Sequence, residues 1–315
     1  MQLILIIFIF FLIGLFLLKI LIPLFKIHLP DIPNKRSSHK EIKPRGGGSV
    51  FVILSILSTP LHGNFSFLFA LPLSLISFID DKYSISAKMR FLVQFLSAYL
   101  IIIYSTFDRL SNNLFYSNKF ENLIGILMII FGTSIINFSN FMDGIDGLIA
   151  GCYSVVFFTI ILKFKIIWLA PLLGGLIAFL KFNWEPSKIF MGDIGSTFLG
   201  IVYFSVILHI YNLKDQLCIL FIMGPIFVDA LFTLIRRAYN MEDIFSPHKL
   251  HLYQRLVANG WSHKKVSIIY VLDSIFISIS FLYGGFNLCL ISFISVCVIM
   301  YLLELKFSKP FRINY

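Results

Sequence analysis

The stretch NFSNFMDGIDG, Asn137 to Gly147, interrupts two apolar runs that lie near 123–138 and 148–163. Asn137, Asn140, Asp143 and Asp146 recur at every third position, so a helix or tight turn would set their oxygens on one side. Gly144 and Gly147 permit close approach of a ligand or unusual backbone angles. No Lys or Arg occurs from Asn137 to Gly151 to neutralise these acids, which argues against a simple solvated loop. Oxygen donors so spaced suit a hard cation such as Mg2+; the ligand spacing and terminal Glu of the twelve-residue calcium loop are missing.

The rest of the chain makes that polar break one of a series. Of 315 residues, 58% are hydrophobic and 13% charged, with a mean hydropathy of +0.89. A soluble domain could not hide so much apolar surface, so the bilayer is the solvent for most of it. The expectation is an all-α, polytopic integral membrane protein, residues 1–315 forming a single membrane-embedded domain. Apolar runs give about eleven transmembrane helices, near 2–25, 47–61, 65–79, 91–107, 123–138, 148–163, 166–182, 197–211, 216–235, 266–283 and 287–305. The first run lacks a preceding basic region and an A-x-A-like cleavage site, so it reads as a retained helix rather than a signal peptide.

Charge orients the chain. Nothing basic precedes the first run, whereas Lys26, Lys35, Arg36, Lys40, Lys43 and Arg45 follow it, placing the N-terminus outside and the C-terminus in the cytoplasm. Alternation then puts Lys82, Lys88, Arg90, Lys188, Arg236, Arg237, Lys249, Arg255, Lys264 and Lys265 inside or at the inner flanks, and only Arg109, Lys119, Lys163, Lys165 and Lys214 outside. The net charge of +10 is thereby an orientation signal, and no nucleic-acid partner is expected. Cys152, Cys218, Cys289 and Cys297 lie in or beside apolar runs without a CxxC pair, so they read as small buried side chains rather than disulfides or zinc ligands.

Every polar motif falls on the inner side of that alternation. In the first inner loop, KPRGGG (Lys43–Gly48) offers glycine N–H groups and the Arg45 fork to a phosphate, or else touches anionic headgroups as a flexible basic loop. Asp80 and Asp81 close the third run; adjacent helical positions diverge by about 100 degrees, so one could bind metal while the other accepts a proton. The plainer alternative is a solvated helix end held by Lys82 and Arg90. Asp193, in the segment FNWEPSKIFMGDIGS with Lys188, either joins the acids or caps the next helix, and Ser196 is a second cap candidate. In SPHKLHLYQRL (Ser246–Leu256), Pro247 suits a first helical position, and His248, His251 and Arg255 would share a face as a basic patch for phosphate. Zinc on the two histidines is less supported, because no Cys or Glu completes the site.

These motifs, in this order between Asp31 and Leu256, resemble the polyprenyl-phosphate N-acetylhexosamine-1-phosphate transferases, glycosyltransferase family 4, which include the phospho-MurNAc-pentapeptide translocase. PRGGG and HKLHLYQRL look most like the branch that initiates O-antigen or related surface glycans; the translocase's adjacent histidines are replaced by His248 and His251. The resemblance implies an enzyme of the bacterial inner membrane, of EC 2.7.8 type, that moves an N-acetylhexosamine-1-phosphate from a UDP-sugar to undecaprenyl phosphate with release of UMP. It implies Mg2+ as cofactor, with Mn2+ a substitute, and leaves homodimerisation open. By resemblance Asp193 coordinates the metal. Asp80, Asp81, Asp143 and Asp146 are the catalytic candidates, while Arg45, Asn140, Lys188, His248, His251 and Arg255 bind substrate. A transporter of an anionic solute is the rival reading and would place ionisable residues near the bilayer midplane, where Asp229 and Asp273 are the candidates. A CDP-alcohol phosphotransferase fits less well, because Asp146-Gly147 leads into Leu-Ile-Ala-Gly without that family's Ala-Arg pair.

Overall fold

The computed structural model describes residues 2–33, 41–83, 85–110, 119–243, 246 and 248–311. Lys35, Arg36, Lys40 and Pro247 lie outside the described residues. α1 (Gln2–His28) is long and apolar enough to cross a membrane, as are Ala87–Ser105, Leu123–Phe141 and His263–Phe307. Shorter apolar helices α2 (Ser49–His62), α7 (Leu148–Phe164), α8 (Ala170–Asn183) and α9 (Asp193–His209) complete the bundle with α3 (Ser66–Phe69), α4 (Leu71–Tyr83), α5 (Ala87–Leu110) and α6 (Lys119–Phe141). Large apolar side chains stand open on its periphery, Ile4, Leu57 and Leu127 among them; contiguous apolar surface of that kind fits lipid, not water. The protein is a helical membrane protein.

α9 is the axis. From Ile194 to Leu208 every residue is buried, and α4, α5 and α6 pack around it. A helix apolar on all sides belongs in such a position. Its first residue, Asp193, is thereby fixed at the end of the bundle where the polar motifs meet. α1 lies against α8 through small residues: a Cβ on Gly14 would sit 2.8 Å from Cβ of Ala178, and one on Gly174 would sit 2.9 Å from Cβ of Phe10. Without a hydrophobic drive inside lipid, close backbone approach of this kind holds helices together.

Two features depart from a plain series of spans. The run 216–235, expected as one helix, is α10 (Leu213–Ile222) and α11 (Gly224–Tyr239), bent by 78°. Pro225 has no N–H to continue the ladder and suits a helix start, and the Phe293 ring occupies the space a side chain at Gly224 would need. After α12 (Leu252–Ala258), α13 (His263–Phe307) is broken at Gly285, whose φ of 62° and ψ of −153° are non-helical. Ser280 and Ser292 hydroxyls lie 2.6 Å apart across that break. Twelve helical residues would span about 18 Å, so the chain reverses there. Phe307 returns to Trp261, ring centroids 5.6 Å apart. The two expected runs 266–283 and 287–305 are therefore an antiparallel pair.

Candidate active site

At one end of the bundle, β1 (Pro30–Asp31) pairs with β2 (Lys43–Pro44) and ties the first polar loop shut. The following glycines do something other than expected. Gly47 N–H donates to Phe190 O and Gly48 N–H to Met191 O, both at 2.9 Å, so neither is free for an anion. The physical need for glycine here is contact: a Cβ on Gly48 would lie 2.8 Å from the backbone N of Gly195. The loop is laced to the segment before α9. That lacing brings Arg45, bonded to Asp31 at 2.8 Å, within electrostatic reach of Asp81 and Asp193.

Asp80 and Asp81 diverge as neighbouring helical positions should. Asp81 reaches across to the start of α9, where Oδ1 accepts Asp193 N–H at 2.9 Å and Oδ2 accepts Ile194 N–H at 3.3 Å. It is the cap of α9, a carboxylate set against the positive end of a helix. Ser196, the residue expected to cap, instead accepts from Asn140. Gly192 is required in this contact: its φ is 76°, and a Cβ would lie 2.5 Å from Asp81 Oδ2. Asp80 turns the other way, accepting from Ile85 N–H at 2.5 Å and from Arg90 at 3.0 Å. Arg90 also stands 3.6 Å from Asp193 Oδ2, and Asn140 donates to Asp193 Oδ1 at 2.9 Å.

The loop after α6 does not place its four polar residues on one side. Asn137 turns to Gln94 on α5 at 2.8 Å, and the helix ends at Phe141. Asp146, buried, accepts Ser187 Oγ at 2.8 Å and Ser187 N–H at 3.1 Å, with His263 Nδ1 3.6 Å away. Burial alone would raise its carboxyl, but the bonds from His263 and Ser187 outweigh that and hold it below the usual range. Asp146 pins the loop to its neighbours. Asp143 differs: its carboxylate accepts no hydrogen bond among the described residues and is pushed up to about 8, by burial first and then by Asp193, Asp81 and Asp146, against Arg45.

The histidine segment corrects the expected basic face. α12 begins at Leu252, so His248 and His251 are not on a helix with Arg255. Their rings lie 4.8 Å apart, tilted by 43°. Burial, aided by His251 and Arg237, pushes His248 down to about 3, and burial brings His251 to about 4 despite Asp229. Both are neutral imidazoles at pH 7. Arg255, buried, donates to Leu250 O, Ser308 Oγ, Lys309 O and Glu304, clamping the returning end of α13. Asp229 accepts Leu252 N–H at 2.7 Å, Tyr253 N–H at 3.1 Å and Tyr270 Oη at 2.8 Å. It caps α12 and is not a vacant midplane acid. Tyr253 in turn bonds Phe141 O at 3.0 Å, its hydroxyl filling the place of a side chain at Gly144. Lys188 is exposed, and among the described residues only its backbone N–H is tied, to Phe182 O.

Sequence reasoning missed Asn183 and Ser187. Asn183 accepts Gly147 N–H at 2.9 Å and donates to Ile189 O at 3.0 Å, joining the two acidic loops. A polar amide at the end of an apolar run was its only signal.

The chemistry of this end follows from its charges. Asp31, Asp80, Asp81, Asp143 and Asp193 face the guanidiniums of Arg45 and Arg90. Asp143, pushed up to about 8, holds its proton at pH 7 until a cation displaces it, and the remaining carboxylates repel a phosphorylated substrate unless a cation intervenes. Among the described residues no three metal-binding side chains converge. Mg2+ needs fewer, because it uses one or two carboxylates and completes its shell with water and substrate phosphate. Asp193 and the unbonded Asp143 fit that requirement.

Residues 65–211 match the family described as Glycosyl transferase family 4. A protein of Bacillus subtilis strain 168, named a probable undecaprenyl-phosphate N-acetylglucosaminyl 1-phosphate transferase, is 33% identical over 278 residues, 80% of this chain and 76% of that one. The undecaprenyl-phosphate alpha-N-acetylglucosaminyl 1-phosphate transferase of Thermotoga maritima is 26% identical across 88% of this chain and 89% of its own. The phospho-N-acetylmuramoyl-pentapeptide-transferase of the same organism is 29% identical across 85% and 95%. The chain belongs to this family of polyprenyl-phosphate sugar-1-phosphate transferases and is a transferase.

Proposed function

We propose, with that family membership as premise, that this enzyme transfers an N-acetylhexosamine-1-phosphate from a UDP-sugar to undecaprenyl phosphate and so initiates O-antigen or a related surface glycan. The observation that carries the reading is Asp143, a carboxyl group with no hydrogen bond among the described residues, held in the field of Asp193 and Asp81. An oxygen of the lipid phosphate attacks the sugar-proximal phosphorus. The bond from that phosphorus to the oxygen of the nucleoside phosphate breaks, UMP departs, and a polyprenyl-diphosphate sugar remains. Bound Mg2+ would supply charge neutralisation to the donor diphosphate. Asp193 and Asp143 would hold it, with Asn140 fixing the rotamer of Asp193. Asp80 and Asp81 are committed to Arg90 and to the start of α9, so they position rather than take a proton. No strong base is needed, because a phosphate monoester loses its second proton near pH 6. Catalysis is then positioning and charge stabilisation.

The same reading places about eleven spans in the inner membrane, N-terminus outside and acidic end facing the cytoplasm, where a water-soluble donor meets a lipid acceptor. Arg45, within electrostatic reach of Asp81 and Asp193, and the exposed Lys188 are the cations assigned to the donor. The transporter alternative loses Asp229, whose oxygens are spent on α12. The test is to incubate membranes with undecaprenyl phosphate, Mg2+ and a panel of UDP-GlcNAc, UDP-FucNAc and UDP-QuiNAc, reading UMP and lipid product together. Stoichiometric formation of both from one donor is expected; solute uptake without UMP would overturn the assignment.

A further inference from the structure

α11, α12 and the second half of α13 enclose a groove of about 220 Å³. Its deep part is apolar, lined by Val228, Phe232, Cys297 and Met300. Phe232 and Tyr301 beside it are 44% and 53% exposed, which in a membrane protein means that the groove opens to lipid. Its upper rim is charged. Glu304 is shared by two guanidiniums, Arg236 and Arg255, so one carboxylate answers two positive charges. Phe232 lies 4.4 Å from the Arg236 guanidinium, and Phe311 lies 5.3 and 5.4 Å from those of Arg236 and Arg255. Aromatic faces hold the forks flat without neutralising them. Asp229, at the floor, directs both oxygens to α12 and Tyr270.

An apolar slot beneath a cationic rim is complementary to one kind of molecule in a bilayer. A zwitterionic headgroup would bring its own ammonium against Arg236, whereas an anionic one brings a phosphate that a guanidinium binds as a fork. We infer that this groove is a site for an anionic phospholipid of the surrounding leaflet, its phosphate on Arg236 and part of an acyl chain along Val228, Phe232 and Met300. The site is separate from the transfer chemistry: the lipid bridges α11 to the returning end of α13 and so stabilises the hairpin.

The full-length protein, purified into nanodiscs of phosphatidylcholine alone or phosphatidylcholine with phosphatidylglycerol, provides the test. The unfolding midpoint of the wild type should be several degrees higher with phosphatidylglycerol. That increment should be largely lost in Arg236→Gln, which removes the fork from a partly exposed position, and in Met300→Trp, which fills the slot and leaves the charges intact. An increment retained in both variants, or equal midpoints for the wild type in the two lipids, would overturn the proposal. So would an increment that appears only after residues 310–315 are deleted, because the tail would then be the occupant. Undecaprenyl phosphate added to phosphatidylcholine discs should give no Arg236-dependent increment; such an increment from it alone would reassign the groove to the acceptor and defeat the inference.

Discussion

Two helix starts in this molecule are built by the same device and serve opposite ends. At α9, Asp81 of α4 accepts the N–H groups of Asp193 and Ile194. At α12, Asp229 of α11 accepts those of Leu252 and Tyr253. The first cap is left open: Asp143 has no hydrogen bond among the described residues, and Asp193 is one-third exposed with Arg90 only 3.6 Å away. The second is nearly closed, with only His251 Nδ1 and Glu242 Oε1 of its described side chains buried without a hydrogen bond. Arg255 and Arg237 are buried and bonded to Glu304 and Glu242, and the two histidines are neutral. Residue type does not separate a working site from a scaffold here. Saturation does: a buried charge with every partner supplied by the protein has nothing left to offer a substrate.

That contrast can be broken from either side. The largest effect is expected at the open cap, where Asp193→Asn should lower UMP release by about 10²–10³-fold or more while the protein still inserts and folds; near-normal turnover would remove Asp193 from the site. At the second cap, Arg255→Met should instead cost about 1–3 kcal/mol of stability by taking the donor from Leu250 O, Ser308 Oγ and Lys309 O, while Glu304 keeps Arg236. The unfolding midpoint reads that loss, with the donor KM of the folded fraction little changed. A large rise in KM without destabilisation would restore Arg255 as a phosphate contact.

The lacing of the glycine loop is tested next. Gly48→Ala pushes a Cβ toward Gly195 and should destabilise by about 1–3 kcal/mol, whereas a phosphate cradle would have shown the change in KM first. Asp81→Ala removes a cap worth about 1–2 kcal/mol and should also reduce turnover, because Asp193 is the residue whose N–H it holds; thermal and kinetic losses are expected together. Lys188→Ala marks the lower end. Being exposed, it should alter stability by less than about 0.5 kcal/mol and act only through the donor KM.

Much of this arrangement is legible in the chain before folding. Apolar runs broken by polar motifs give the helices, and their alternation puts Asp81, Asp143 and Asp193 into one group, of which a hydrogen bond joins Asp81 and Asp193 across 112 residues. The hairpin at Gly285 is visible as the break between 266–283 and 287–305. What could not be read is how each polar group is spent. Gly46 to Gly48 look like an anion cradle until Phe190 and Met191 arrive from far along the chain to take the N–H groups of Gly47 and Gly48. His248, His251 and Arg255 share a face only if the helix starts near Pro247, and α12 starts at Leu252 because Asp229 caps it there. The bend at Met223 needs Phe293, a residue of another helix, to make sense of Gly224. Periodicity reports which residues are polar; tertiary partners decide which stay available.

The central claim is that Asp143 and Asp193 are left open to hold a divalent cation against a phosphorylated donor. It is tested most directly by titrating Mg2+ into metal-stripped membranes of the wild type and of Asp143→Asn, supplied with undecaprenyl phosphate and the UDP-sugar accepted by the wild type, while UMP is measured. No release is expected without divalent cation, and turnover in the variant should be lower by about 10²-fold or more at any concentration of the ion. Release that needs no cation, or wild-type turnover in Asp143→Asn, would contradict it.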